Sequence, residues 1–227
     1  MTGAGRQRRP LEPGGTITAI EPRPTDPNFR RIRVDGRVAA AITAAQLDQI
    51  GIEVGQPWTG ELVRQVEHAI LAGRIHRRAM NILGRRAYAH GELIERLVRA
   101  GFDRTAARAT ADDLSEQGWL DDRAYGESLV REWLRSKPAG ARFLIQKLAQ
   151  RRIDRTLAED IVRSALASVD QVEEAERLAR KRLPSLQRHD RATIIRRLTG
   201  LLARRGFEHD TIRTVVDRLK LDPACDT

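Results

Sequence analysis

One junction recurs three times along this 227-residue chain, and it dictates what the chain can become. It reads Leu97-Gly101-Phe102-Asp103, then Leu148-Arg152-Ile153-Asp154, then Leu202-Gly206-Phe207-Glu208, at spacings of 51 and 54 residues. Each copy has the chemistry of a helix end followed by a helix start. Glycine closes a helix in the left-handed conformation without a Cβ penalty. The next residue, apolar, folds back on the last turn, and the acid after it caps the following helix by accepting orphan N–H groups. Arg104-Thr105 in the first copy is matched by Arg155-Thr156 in the second. Self-similarity at this period predicts stacked helical units. The second copy carries Arg152 where the others have glycine, so its helix ends with a left-handed penalty or turns a different corner.

The stretch after the first junction repeats the logic. Leu114 leads to Gly118, Trp119 and Leu120, and then Asp121 or Asp122 opens a helix with Tyr125, Leu129 and Trp133 on one face. Gly101, Phe102, Asp103, Gly118, Trp119, Leu120, Asp121, Asp122, Tyr125, Gly140 and Ile153 are therefore assigned to architecture, with Phe102 expected in the core.

The remainder of the chain falls into order around these points. Residues 1–14 are Gly, Arg and Pro without periodicity and are expected to be a disordered basic tail. Residues 15–73 read as a small α+β unit. Short alternating runs flank Asp35-Gly36, a hairpin signal, and predict three antiparallel strands. A helix capped by Thr43 and ending near Gly51 follows, then a second helix from Thr59. The helical part is expected to start at Gly73 or Arg74, with Met80, Leu83 and Ala87 on one face. Its units are 74–123, 124–169 and 170–221, with 222–227 a tail. Ser136 to Gly140 reads as a connector, Leu157, Ile161, Val162, Ala165 and Leu166 as a helical stripe, and Asp170, Asp190 and His209 or Asp210 as helix starts. Nine helices in three groups of three fit this spacing. The fold class is mostly α: three tandem three-helix repeats in an elongated curved stack, preceded by a short antiparallel meander.

Chemistry is sparse. The five histidines (His68, His76, His90, His189, His209) lack metal-ligand spacing, and no phosphate-binding glycine loop occurs. Asp112-Asp113 and Asp121-Asp122 resemble a metal-dependent nuclease pair only superficially, since helix capping and a pairing of Asp112-Asp113 with Arg108 account for them. No enzyme, cofactor or metal is expected. One cysteine, Cys225, gives no disulfide framework. No run reaches the roughly 18 apolar residues of a membrane span, and the first residues lack the apolar core of a secretory signal. A cytoplasmic monomer is expected.

The net charge is +10, from 37 Arg and 4 Lys against 31 acids, and nearly all of the excess lies beyond residue 73. An arginine-rich solvated surface accounts for part of this; an anionic partner accounts for the rest. Doublets at Arg85-Arg86, Arg151-Arg152, Arg196-Arg197 and Arg204-Arg205, with Arg180-Lys181-Arg182, fall near helix ends in successive units. The contact set expected for a filament or nucleic acid is Arg85, Arg86, Arg96, Arg99, Arg142, Lys147, Arg151 and Arg155. Aromatic residues for base stacking are few, which argues against sequence-specific reading of DNA.

Gly118-Trp119-Leu120-Asp121-Asp122-Arg123-Ala124-Tyr125, with Gly140 and the Leu148 to Asp154 segment, resembles the bacterial RecX family over about residues 74–220. The Asp-Gly hairpin and the Gly55-Gln56-Pro57-Trp58 turn resemble the extension that some members carry. Arg152 departs from the family's usual glycine. The resemblance implies a modulator, usually an inhibitor, of the RecA recombinase. Such a protein lodges in the groove of the RecA filament on single-stranded DNA and blocks its ATPase and strand exchange. Single-stranded DNA is an implied second partner, with double-stranded DNA left open. It supplies no catalytic residues. Two other classes stay open from the residues alone: a sequence-nonspecific helical protein or transcription regulator acting on naked DNA, and a helical scaffold for an unrelated protein.

Overall fold

The computed structural model describes residues 11–219. The first ten residues of the predicted tail, the predicted tail at 222–227 and Cys225 lie outside the described residues. Residues 11–14, expected to be unstructured, are tied down instead. The Leu11 N–H donates to Glu67 Oε1 at 3.1 Å, and the Gly14 N–H donates to the Trp58 carbonyl at 2.8 Å. By backbone proximity the chain divides into two compact units, residues 1–81 with 102–110, and residues 82–101 with 111–227.

The first unit is built on a three-stranded antiparallel meander, β1 (Ile17–Arg23), β2 (Asp26–Val34) and β3 (Arg37–Thr43), in that order. Asp35 and Gly36 both take positive φ, 48° and 75°, as a two-residue hairpin with right-handed twist requires. One face of the sheet, with Ile17, Ile32, Ala40 and Ile42, is buried with Trp58, Val63 and Val66 in a single core. Thr43 caps α1 (Ala44–Ile50) through a reciprocal box with Gln46, and Gly51 ends it at φ 74°.

Helix α2 (Gly60–Leu83) runs unbroken through Gly73 and Arg74, where a new helix was expected to begin. Its buried stripe there is Ile75, Ala79 and Ile82, not the predicted Met80, Leu83 and Ala87. A glycine in a helix interior costs about 1 kcal/mol relative to alanine, and three buried apolar side chains outweigh that. Among the described residues no helix is long and apolar enough to cross a membrane.

The helices that follow are α3 (His90–Arg99), α4 (Arg104–Glu116), α5 (Asp122–Ser136), α6 (Ala141–Gln150), α7 (Arg155–Leu166), α8 (Gln171–Arg182), α9 (Arg191–Arg204) and α10 (His209–Arg218). A 3-10 turn at Leu183–Leu186, holding Pro184, follows α8. Among the described residues eight helices, α3 to α10, follow α2, and the first of the nine predicted helices is fused with the one predicted from Thr59 into α2. The three recurrent junctions are the corners α3–α4, α6–α7 and α9–α10. All three take left-handed backbone, with φ of 92° at Gly101, 60° at Arg152 and 80° at Gly206. Arg152 thus accepts the left-handed penalty and preserves the corner.

The residues after the corners are not equivalent. Ile153 and Phe207 are 4% and 3% exposed, whereas Phe102 is only half-buried, contrary to its expected core role. Asp103 and Asp154 cap their helices as expected. Glu208 occupies the cap of α10, as its place in the junction predicts, and the helix begins at His209, but the Glu208 side chain makes no cap hydrogen bond. The helices around α5–α7 share a core of Leu129, Val130, Leu144, Leu148, Ile161 and Val162. Those around α8–α10 share another, with Leu186, Leu198, Leu202, Phe207, Ile212 and Val215.

Successive corners are joined by close backbone contacts. A Cβ on Gly91, in the first turn of α3, would lie 2.8 Å from the Arg152 carbonyl oxygen. A Cβ on Gly140, the cap of α6, would lie 2.2 Å from the Gly206 carbonyl oxygen. The start of one second helix therefore seats the corner of the next triplet, and a small residue admits it each time.

Candidate functional site

Asp121 and Asp122 start from adjacent positions and serve different helices. Asp121 Oδ1 accepts from the Ala124 N–H at 2.9 Å and caps α5, while Asp122 Oδ1 accepts from the His90 N–H at 2.7 Å and caps α3. Ala89, the residue in the cap position of α3, has no side-chain acceptor of its own, so Asp122 supplies one from another triplet. Burial raises the Asp122 carboxyl above the usual carboxylate range, against the opposing pull of the His90 N–H. The His90 ring lies over the same seam, with Nε2 2.6 Å from Asp112 Oδ1, so Asp112 pairs with His90 and not with Arg108 as expected. Among the described residues no group of histidine, cysteine and carboxylate side chains is placed to hold a metal ion.

At this seam the predicted cations gather on one aromatic ring. Arg86 stacks on Tyr88 at 3.7 Å from the ring centre, and Arg96 lies over the same ring at 4.6 Å. Arg86 Nη1 donates to the Ala87 carbonyl at 2.8 Å and to the Tyr125 hydroxyl at 3.0 Å. Its Nη2 donates to Glu92 Oε1 at 2.7 Å. Arg151 reaches the same carboxylate oxygen at 3.6 Å. Glu92 is mostly buried, and its Oε2 has no hydrogen-bond partner. Burial pulls the Arg86 guanidinium down, and the bonds to Glu92 more than reverse this, leaving it above its ordinary value. Arg86, Arg96 and Arg151 against Glu92 leave a net charge of +2 around Tyr88.

A related arrangement forms at the next seam. Phe143 carries Arg205 at 4.5 Å and Lys147 at 5.5 Å from its ring centre. Arg205 Nε and Nη2 donate to the Pro138 carbonyl at 2.9 and 2.7 Å, and Nη2 donates to the Lys137 carbonyl at 3.0 Å. Arg142 Nε donates to Glu208 Oε1 at 3.1 Å, and its Nη2 forms an ion pair with Oε2 at 3.0 Å. Cations on aromatic faces contribute about 0.5–2 kcal/mol each, depending on desolvation, so the four on these two rings are pre-ordered, and of the four only Arg86 is paired with a carboxylate among the described residues.

The remaining members of the predicted set stand apart. Arg155 pairs within its own helix with Glu159 at 2.8 Å, and Arg85 and Arg99 are exposed with no acidic partner among the described residues. Sequence reasoning missed Arg205, since the Arg204-Arg205 doublet does not reveal which member turns inward. It also missed Glu92, whose bridging role depends on Arg151 from a distant segment. Trp119, expected to be architectural, is 56% exposed, while its neighbour Leu120 is buried.

Residues 121–161 match the second three-helix domain of RecX, and residues 169–216 match the third. A regulatory protein RecX from Pelodictyon phaeoclathratiforme (strain DSM 5477 / BU-1) is 32% identical over 148 residues, 65% of this chain and 90% of that protein. The chain belongs to the RecX family. A RecX from Mycolicibacterium smegmatis (strain ATCC 700084 / mc(2)155), also named a regulatory protein, is 30% identical over 145 residues, 60% of this chain and 74% of that one. A crystal structure of a regulatory protein RecX aligns with a TM-score of 0.76 at 20% identity, covering 89% of this chain and 98% of its own. The RecX from Lactobacillus salivarius aligns with a TM-score of 0.57 at 23% identity, over 68% and 99%. Both likenesses establish a shared fold. The mostly helical architecture with its N-terminal three-stranded sheet is therefore a RecX architecture, and the family's members carry the name of regulators.

Proposed function

We propose that this RecX-family chain is a negative regulator of the RecA recombinase that binds along the groove of the RecA filament on single-stranded DNA and inhibits its ATPase and strand exchange. The observation that carries the reading, beside family membership, is the recurrence of the cation–ring cluster at successive seams. Tyr88 with Arg86 and Arg96, and Phe143 with Arg205 and Lys147, repeat a basic, pre-ordered contact along the chain. A partner with its own repeat can engage both, and two modest contacts on one chain bind with the avidity of a linked pair. The geometry suits an extended, periodic, acidic surface better than a pocketed small ligand.

The test is the single-strand-dependent ATPase of RecA with this protein titrated in, beside its binding to the same DNA without RecA. Inhibition at substoichiometric protein, where naked DNA is barely bound, is the expected outcome. Inhibition that only follows DNA occupancy would replace this reading with competition for DNA.

A further inference from the structure

A dense group of cations among the described residues lies outside the eight predicted contacts. A groove of about 680 Å³ runs between the end of α5, α8 and α9, and it is lined by Arg135, Lys137, Arg177, Lys181, Arg182 and Arg205 with no carboxylate. Arg177 is satisfied by Glu174 at 2.5 Å. The other five have no acidic partner among the described residues; Arg205 bonds only backbone carbonyls and the Phe143 ring, and burial pulls its guanidinium below its ordinary value. A second groove of about 430 Å³ shares Arg182 and Leu201 with the first and adds Arg196, Arg197 and Arg204.

Helices α5 and α8 both end here, and their exposed carbonyls attract cations. Each helix end is worth about half an elementary charge, so two ends account for about one of the five free cations. The rest is an excess held in a concave surface, where low-dielectric walls focus it. Guanidinium forks match phosphate oxygens in two-bond geometry. Neither groove is lined by an aromatic side chain, so nothing there stacks on bases. The cations come from α5 and its end, from α8, and from α9 and its end, and the two grooves meet at Arg182 and Leu201, so the basic surface is longer than one phosphate and fits a polyanion.

We infer that the α5–α8–α9 groove binds the phosphodiester backbone of single-stranded nucleic acid without reading its sequence. The groove shares Arg205 with the Phe143 cluster, but its other cations belong to neither cluster, so the inference stands whether or not those clusters meet a recombinase filament.

The experiment measures fluorescence anisotropy of a labelled mixed-sequence single-stranded oligonucleotide, with no other protein, across a salt series. Variants are Lys181→Glu/Arg182→Glu, the milder Lys181→Gln/Arg182→Gln, and the charge-matched control Arg163→Glu/Arg213→Glu on α7 and α10, at exposed positions outside both grooves. Circular dichroism confirms the helix content of each. The groove reversal is expected to weaken binding about tenfold or more. Two lost phosphate contacts should also flatten the slope of log affinity against log salt by about 1.4. The glutamine pair should show the same direction with a smaller loss, and the control should keep the slope. Equal losses in groove and control variants would overturn the assignment. So would an unchanged slope in both groove variants, or groove variants that lose affinity for poly-glutamate while keeping it for the oligonucleotide.

Discussion

Gly140 stands directly against Gly206. A β-carbon built on Gly140 falls 2.2 Å from the Gly206 carbonyl oxygen, and the Gly140 N–H donates to the neighbouring Arg205 carbonyl at 2.8 Å. The backbone of Gly140, with φ −87° and ψ 171°, is open to any residue. The requirement for glycine is therefore one of space between triplets and not of conformation. Gly140→Ala is expected to destabilise by about 1–3 kcal/mol through forced separation of the two backbones. Gly91→Ala, whose closest contact is longer, should cost less. Urea midpoints of the two variants check this, and a Gly140→Ala midpoint equal to the parent's would remove the close-contact account.

The corner residues sort by burial and not by their shared place in the repeat. Phe207→Ala should cost about 3–5 kcal/mol as a fully buried aromatic truncated to a cavity. Phe102→Ala should cost about 1–2 kcal/mol, since much of that ring already meets water. Thermal melts of both variants decide, and equal losses would contradict the difference in burial.

Asp122 links capping to pH. Its carboxyl is raised by burial, so the folded state favours the protonated form more than the unfolded state does. Its contribution is therefore fully present below the unfolded value and is lost as pH rises through the folded one. Asp122→Asn keeps an oxygen for the His90 N–H and removes the buried charge. It should match or exceed the parent in melting temperature at pH 7, with the gap closing on acidification. Asp122→Ala removes the cap and should cost about 0.5–2 kcal/mol at either pH. An asparagine variant that is weaker than the parent at pH 7 would show that the charge itself is needed.

The acid side of the profile runs the other way. Asp103 and Asp190 are held below the usual range by helix N–H donors, Asp160 by Arg123, and Glu176 by Arg180 and Arg218. Their contributions exist above the unfolded values and disappear as pH falls through the folded ones. Melting temperature should therefore drop steeply below about pH 4, and Asp103→Asn and Asp190→Asn together should flatten that drop. A parallel curve for the double variant would remove these caps as its source.

Among the predicted contacts, Arg96 and Arg99 are the informative pair for the proposed filament interaction. Arg151 helps compensate the mostly buried Glu92, so its reversal would disturb the fold. Arg96→Glu/Arg99→Glu should leave the fold within about 1 kcal/mol, the scale of lost helix-end charge. It should also raise the concentration needed to inhibit the RecA ATPase about tenfold or more. Unchanged inhibition would take α3 out of the contact.

The sequence disclosed what depends on neighbours along the chain. Asp103, Asp154, Asp170 and Asp190 cap where their positions say they should, and Asp35-Gly36 turns a hairpin. It did not disclose what depends on distant partners. Asp122 leaves its own helix to cap α3, and Asp112 takes His90 over the nearer Arg108. Gly73 reads as a breaker, but burial of Ile75, Ala79 and Ile82 overrides it. Trp119 is apolar in type and exposed in place. Of the candidate contacts, the basic character was legible, while the ring that orders Arg86 and Arg96 and the acid-free groove on α8 required the tertiary structure.

The seating of each corner in the start of the preceding second helix gives the array a polarity, like the two dissimilar ends of a growing polymer. At the leading end, a β-carbon on Gly101 would touch nothing within 4 Å, so the first corner has no seat to occupy. At the trailing end, α9 opens with Asp190, whose own carboxylate accepts from the Thr193 N–H. The two earlier second helices open with Ala89 and Gly140, which lack that group. The three second helices thus open in two ways: α3 and α6 lean on a neighbouring triplet at their starts, and α9 is capped by its own side chain.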